Sequence, residues 1–134
     1  AKRTNGLKLL LMSNIEKCCL AFKCGCPDNA MMNFAKEHLG YKHNKGLDFV
    51  GRFNKQFVIG EAKFLTDFGG HQNAQFNDAI STIQTKGVKA VKIAILDGVV
   101  FIEGKNKMYK SITEIYKDYN IMSALVLREF LYQI

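Results

Sequence analysis

Two acidic residues and a lysine lie within two apolar segments that a short turn connects. The first segment runs from Leu47 to Phe53 and contains Asp48. The second begins at Gln56 and contains the triplet Glu61-Ala62-Lys63. Burying a charge costs free energy unless the charge is paired or bound to a metal. Charged residues in these positions therefore indicate a site that performs chemistry.

Strand geometry brings the three side chains together. Alternate residues of a strand face the same side, so Glu61 and Lys63 share one face of the sheet. If Asn54 and Lys55 form a two-residue turn, Asp48 lies directly opposite Glu61, with Cβ atoms about 4.5 to 5.5 Å apart. Two carboxylates opposite each other destabilise a sheet, whereas a divalent cation between them is favourable, since Mg²⁺ prefers such oxygen ligands. The sequence therefore predicts a Mg²⁺ site at this end of the hairpin.

The alternative is that these are ordinary charges on the solvated face of a half-buried hairpin. The uninterrupted apolar run Phe57-Val58-Ile59 favours a central strand covered on both faces. A lysine beside two carboxylates also has a role in hydrolysis, because it can orient or help deprotonate a water molecule and offset charge on a phosphate. We therefore favour the site over the exposed hairpin.

Helices are indicated by apolar residues that recur at three- and four-residue steps. The first helix would carry Leu7, Leu11, Ile15, Cys18 and Phe22. The second would begin with Asp28 as its N-cap, end at Gly40 and bury Met31, Phe34, Ala35 and Leu39. The third would close near Lys86 and bury Phe76, Ala79, Ile80 and Ile83.

The remaining segments predict a second hairpin and two further helices. The hairpin would consist of the strand Val88–Leu96, the turn Asp97–Gly98 and the return strand Val99–Glu103. A capping box at Ser111–Glu114 would open a helix that continues through Tyr119, and Ile121–Ile134 would form the last helix. Together these elements predict one α/β domain, with a mixed β-sheet flanked by helices on both faces.

Composition limits the class of protein and of partner. The 134 residues carry a formal net charge of +7 and 48% hydrophobic residues, which suits a globular domain that binds a polyanion such as nucleic acid. No apolar run approaches the length of a membrane span, and the given sequence does not open with a signal-peptide pattern. The closely spaced Cys18, Cys19, Cys24 and Cys26 do not match the paired spacing of zinc sites. They suggest reduced thiols in the cytoplasm.

The strand pair resembles the PD-(D/E)xK nuclease superfamily, and within it the type II restriction endonucleases. The resemblance rests on Asp48, the Glu61-Ala62-Lys63 triplet thirteen positions later and the apolar strand before the triplet. The segment Gly69-Gly70-His71-Gln72 also looks like the entry to the next helix in restriction enzymes. The resemblance covers about residues 45–103 and departs from the pattern at Leu47, where a proline often precedes the acid.

The resemblance implies a restriction-endonuclease-like core and assigns roles to individual residues. Asp48 and Glu61 would hold Mg²⁺, which Mn²⁺ can replace, and the Ala62 carbonyl would be a further ligand. Lys63 would act on the attacking water. An accessory acid would come from a preceding helix, with Glu37 the nearer candidate and Glu16 the alternative. We expect DNA contacts at His71, Gln72, Gln75 and Arg52, the first three at a helix start where phosphate or a base edge can bind.

The sequence thus predicts a Mg²⁺-dependent endonuclease that hydrolyses double-stranded DNA, as the catalytic domain of a type II restriction enzyme. A homodimer or a partner subunit would supply the second cut, and we expect it in the cytoplasm of a bacterium or an archaeon. Because the sequence starts at Ala1, it can also be a fragment or a catalytic subunit of a larger enzyme. The alternatives are a Holliday-junction resolvase or DNA-repair nuclease on the same core, and a non-catalytic nucleic-acid-binding domain that kept the fold.

Overall fold

A five-stranded mixed sheet forms the centre of the protein, whose computed structural model describes residues 21–22, 28–104 and 106–134. Its strands are β1 (Ala21–Phe22), β2 (Phe49–Phe53), β3 (Gln56–Leu65), β4 (Val91–Gly98) and β5 (Ile121–Met122). They lie side by side in chain order. The pairs β1–β2 and β2–β3 are antiparallel, whereas the pairs β3–β4 and β4–β5 are parallel.

Helices cover both faces of this sheet. They are α1 (Asp28–Leu39), α2 (Gly70–Gln84), α3 (Lys107–Lys110) and α4 (Leu127–Gln133). Helices α1 and α2 pack on the face that carries Ile59 and Leu65, while α4 packs on the face that carries Val58 and Ala62. The predicted α/β architecture, a mixed sheet flanked by helices on both faces, is therefore confirmed. No helix in the described parts of the chain has the length and apolar character needed to cross a membrane.

The β2–β3 hairpin has the predicted two-residue turn. Asn54 and Lys55 have φ angles of 45° and 69°, as a type I′ turn requires, and this turn matches the twist of the flanking strands. Phe53 pairs with Gln56, and the same register continues to the pair Phe49 and Gly60. The register on which the sequence argument depended is therefore confirmed.

The prediction of a second hairpin after β4 was wrong. After β4 the chain turns into a short 3₁₀ helix, Val99–Phe101, which buries Val100 against α2 and the sheet. The free edge of β4 pairs with β5 instead, so a return strand has no place in the sheet. The Asp97 carboxylate accepts hydrogen bonds from the Ser123 hydroxyl at 2.5 Å and the Ala124 amide at 3.0 Å, and thereby ties β4 to the chain that follows β5.

The predicted helices had mixed outcomes. Helices α1 and α2 confirm the second and third, and Gly40 ends α1 with a φ of 74°. The first predicted helix does not reach Phe22, which lies in β1, because pairing with Gly51 of β2 holds that residue in the sheet. The rest of that helix falls outside the described residues.

The C-terminal part of the chain also departs from the sequence prediction. The helix assigned to a capping box at Ser111 begins earlier, at Lys107, with Asn106 as its N-cap. The Asn106 side chain accepts from the Met108 amide, whereas the Ser111 hydroxyl donates to the Lys107 carbonyl inside the helix and so cannot cap it. The last segment starts as β5 and a 3₁₀ helix, Ala124–Val126, and only its end forms α4.

Candidate active site

The end of β2 places the Asp48 carboxylate beside the backbone of β3. The strand ladder stops at the pair Phe49 and Gly60, and Asp48 stands one residue beyond it. On the side of β2, the Ala62 amide has no backbone partner in the strand ladder and donates a hydrogen bond of 3.0 Å to the Asp48 carboxylate. The amide and carbonyl of one strand residue point to the same side, so the Ala62 carbonyl also faces the side on which Asp48 lies.

Glu61 is a buried acid on the face of β3 that α1 and α2 cover. Only 3% of the residue is exposed. It lies between Ile59, which packs against α1, and Leu65, which packs against α2. The ammonium of Lys63 is 3.1 Å from its carboxylate and is itself only partly exposed. The structure therefore brings Asp48, Glu61 and Lys63 together on one patch.

The surroundings of Glu61 disfavour its charge. Burial raises the pKa of Glu61 to about 6, and the negative charge of Asp48 raises it too, against the opposing effect of Lys63. At neutral pH the protein thus holds a carboxylate where its charge is only partly compensated. An additional cation at this position would relieve that electrostatic cost.

Lys63 remains protonated in the same surroundings. Burial alone would lower the pKa of its amine, but the charges of Glu61 and Asp48 outweigh burial and raise that pKa. An ammonium has three donors, and the contact with Glu61 engages one side of it. Lys63 is therefore suited to donate hydrogen bonds rather than to accept a proton.

A second pair of charges, which the sequence did not reveal as part of the site, lies next to these three. Lys45, in the loop between α1 and β2, forms an ion pair with Asp78 of α2. Asp78 contributes to the raised pKa of Lys63, and Lys45 acts to lower the pKa of Glu61. Lys45 belongs to the basic residues that precede Asp48 in the sequence, but nothing in the sequence indicates that Asp78 faces the same site.

Tyr41 and Thr82 form a buried polar contact behind Glu61. Tyr41 is 2% exposed, and burial raises its pKa, with a further contribution from the charge of Glu61. The Thr82 side chain, fully buried in α2, acts to lower the pKa of Tyr41. The Tyr41 hydroxyl donates to the Lys45 carbonyl at 3.4 Å, and the Thr82 hydroxyl donates to the Asp78 carbonyl at 3.3 Å. This contact joins the start of the loop after α1 to the middle of α2 and so supports the back of the site.

The residues predicted to contact DNA take two different positions. Gln72 accepts a hydrogen bond of 3.0 Å from the Thr66 amide and so holds the loop that leads from β3 into α2. His71 and Gln75 contact each other at 3.1 Å on the first turn of α2. Arg52 lies over the ring of Phe57 at 5.4 Å, four residues from Asp48.

Four strand residues span about 13 Å, so Arg52 stands well away from the acidic pair. Glu37, the nearer candidate for an accessory acid, is exposed, and its carboxylate lies 3.8 Å from His38. No contact within the described residues connects Glu37 to Asp48 or Glu61. The other candidate, Glu16, falls outside the described part of the chain.

The donor set at this site suits a hard divalent cation. Within residues 21–22, 28–104 and 106–134 there is no cluster of three or more His, Cys, Asp or Glu residues that could hold a metal. Mg²⁺ does not need such a cluster, since it binds through one or two carboxylates and keeps several waters. Asp48 and Glu61, with the Ala62 carbonyl on the same side, match that requirement.

Comparison with known protein families identifies a match. The model of a family described as Tsp45I type II restriction enzyme matches residues 2–134. No curated protein and no solved structure matches the chain significantly. The match covers nearly the whole chain, including Asp48 and the strand β3 that carries Glu61 and Lys63.

Proposed function

We propose that this chain, which belongs to the Tsp45I type II restriction enzyme family, is a Mg²⁺-dependent endonuclease. Its reaction would be hydrolysis of the phosphodiester bonds of double-stranded DNA. The observation that carries the proposal is the convergence of Asp48, Glu61 and Lys63 at the end of the β2–β3 hairpin. Family membership favours a restriction enzyme over a junction resolvase built on the same core.

Asp48, Glu61 and the Ala62 carbonyl are the groups that would hold Mg²⁺. The cation supplies positive charge that offsets the negative charge developing on the phosphate during hydrolysis. Mn²⁺ would take the same place, since carboxylate, carbonyl and water oxygens also suit that ion. The hydrogen bond from the Ala62 amide fixes the direction of the Asp48 carboxylate before any ligand binds.

Lys63 would orient the attacking water and contact a phosphate oxygen. Its raised pKa keeps it protonated at neutral pH in the metal-free protein, so it donates to these oxygens rather than removing their protons. The positive charge of Lys63 also reduces the repulsion between Asp48 and Glu61, because it acts to lower the pKa of Glu61. Asp78 and Lys45 would maintain this charge balance from the side of α2, since each acts on a member of the trio.

Cleavage of both strands requires two such sites. The described part of the chain carries one copy of the patch, and a two-fold homodimer would place identical sites on the two strands of a symmetric DNA sequence. We therefore propose a homodimer, or a complex with a partner subunit that contributes the second site. Sedimentation of the protein with and without duplex DNA would distinguish these arrangements from a monomer.

The proposal is tested by incubating the protein with phage and plasmid DNA in Mg²⁺, in Mn²⁺ and in EDTA. Discrete fragments in both metals and none in EDTA are expected, and sequencing their ends would give the cleavage site. Cutting of four-way junctions in preference to linear duplex would instead indicate a resolvase. Binding of DNA without cleavage in either metal would indicate a non-catalytic domain and would contradict the proposal.

A further inference from the structure

A polar groove lies between the loop after α1 and the C-terminal half of α2. Its volume is about 540 Å³, and its lining residues are Lys42, His43, Asn44, Ser81, Gln84 and Thr85. All of these side chains are polar, and none is acidic. Such a lining offers hydrogen-bond donors and positive charge and holds no carboxylate, which suits an anionic ligand.

The groove begins at the candidate active site. Lys45 directly follows Asn44 of the loop wall, and its ion pair with Asp78 joins that loop to the helix that forms the other wall. Ser81 lies one helical turn beyond Asp78 and donates to the Asp78 carbonyl at 2.8 Å. Lys45 and Asp78 also act electrostatically on Glu61 and Lys63, so the end of the groove beside this ion pair is the end nearer to the candidate active site.

The length of the groove corresponds to a few nucleotides. At about 1.5 Å per helical residue, the α2 wall from Asp78 to Thr85 is about 10 Å long. One strand of duplex DNA advances about 3.4 Å per nucleotide along the helix axis. The wall therefore has room for roughly three nucleotides beyond a phosphate held at the active site.

Lysine side chains near the groove offset the partial negative charge at the C-terminus of α2. The C-terminus of a helix carries partial negative charge, which would repel an anion near Thr85. The Lys92 ammonium donates to the Thr85 carbonyl at 2.5 Å and offsets that charge. On the opposite wall, the Lys36 ammonium donates to the Asn44 side chain at 2.5 Å and adds positive charge there.

We infer that this polar groove binds the phosphodiester backbone of the DNA strand that continues from the phosphate being cleaved. The inference rests on the proposed function, which supplies the DNA. A base-binding role fits less well, because the aromatic ring at the groove is that of His43, which is half-buried and stacks on Tyr41 at 6.3 Å. Lys42 and Gln84 instead present donors of the kind that contact phosphate oxygens.

The test measures the affinity of a fluorescent duplex by anisotropy between 50 and 200 mM salt, in EDTA and in Ca²⁺. Lys42→Gln removes one groove charge, and Gln84→Glu adds an anion there without changing side-chain size. The matched controls are Lys55→Gln, at the far end of the β2–β3 hairpin, and Gln133→Glu, in α4 on the opposite face of the sheet. All four positions are exposed, so the substitutions leave the core intact.

We expect Lys42→Gln to reduce the slope of log affinity against log salt by about 0.9, the value for one lost phosphate contact. Gln84→Glu is expected to weaken binding several-fold at 50 mM salt, and both controls should stay within twofold of the wild type. If the groove variants behave like their controls while the wild type binds DNA, the groove does not bind the backbone. If the wild type binds no DNA in either condition, the inference is also overturned.

Cleavage assays separate this inference from the proposed function. Groove variants that lose affinity in a protein that does not cut DNA would support the groove and contradict the nuclease. A protein that cuts DNA with groove variants of unchanged affinity and salt slope would support the nuclease and contradict the groove.

Discussion

Replacing Glu61 by glutamine should stabilise the metal-free protein at neutral and alkaline pH. The glutamine has nearly the size of the buried acid but never carries its charge. Burial raises the pKa of Glu61 from its ordinary 4.5 to about 6, so the folded protein resists ionisation of this group more than the unfolded chain does. Its ionisation therefore weakens folding, as expected of a group arranged for a ligand rather than for stability.

The pKa of Glu61 gives the size and the pH range of the effect. A rise from 4.5 to about 6 corresponds to roughly 2 kcal/mol. Because the pKa is raised in the folded state, this contribution to stability is fully present below pH 4.5 and is lost as pH rises through about 6. Glu61→Gln should consequently match the wild type near pH 4.5 and exceed it by about 2 kcal/mol at pH 8.

The assay is denaturant and thermal unfolding of both proteins in EDTA at pH 4.5, 6 and 8. For a chain of this size, about 2 kcal/mol corresponds to a rise in Tm of roughly 7 °C. Glu37→Gln provides the matched control, because Glu37 is exposed and its removal should have little effect at any pH. Added Mg²⁺ should stabilise the wild type and not Glu61→Gln. A variant that is less stable than the wild type at pH 8, or a difference independent of pH, would refute this reasoning.

Three further substitutions test other parts of the structure. Asp78→Asn should cost at most about 1 kcal/mol in urea unfolding, because its ion pair with Lys45 is partly exposed; we also expect roughly tenfold slower DNA cleavage, and an unchanged rate would show that the pair does not support the site. Lys55→Gly should raise the free energy of unfolding by about 1 kcal/mol, since φ at Lys55 is 69° and glycine adopts this conformation without strain; a loss of stability would contradict the type I′ turn. Asn106→Ala should cost about 2 kcal/mol in thermal unfolding, because the buried side chain caps α3 and donates to the Val99, Val100 and Ile102 carbonyls, and a neutral substitution would argue against that network.

Local turn chemistry explains why the arrangement of Asp48, Glu61 and Lys63 could be predicted from the sequence. Asn54 and Lys55 form a two-residue turn, and in such a hairpin each residue of one strand has a fixed partner in the other. That arithmetic alone brings Asp48 beside Glu61, and strand alternation adds Lys63 to the same face. These relations involve residues close in sequence, so they do not depend on the packing of the rest of the molecule.

The missed features depend on contacts between distant segments. Asp97–Gly98 has the composition of a hairpin turn, but the edge that a return strand would occupy is taken by β5, about 25 residues later in the chain. The pairing of Asp78 with Lys45 likewise depends on how α2 packs against the loop after α1. Asn106, and not Ser111, caps α3. Its side chain forms several backbone hydrogen bonds that its sequence context does not reveal.

The most direct test of Asp48, Glu61 and Lys63 as the active site is the single-turnover rate of DNA cleavage in Mg²⁺ by the wild type and by Lys63→Met. Methionine keeps most of the length of the side chain and removes its ammonium, and affinity for DNA is measured separately in Ca²⁺. We predict that Lys63→Met binds DNA within a few-fold of the wild type but cleaves it at least about 100-fold more slowly, because it loses a group that stabilises the transition state. Cleavage by Lys63→Met at the wild-type rate would contradict the assignment of Asp48, Glu61 and Lys63 as the active site.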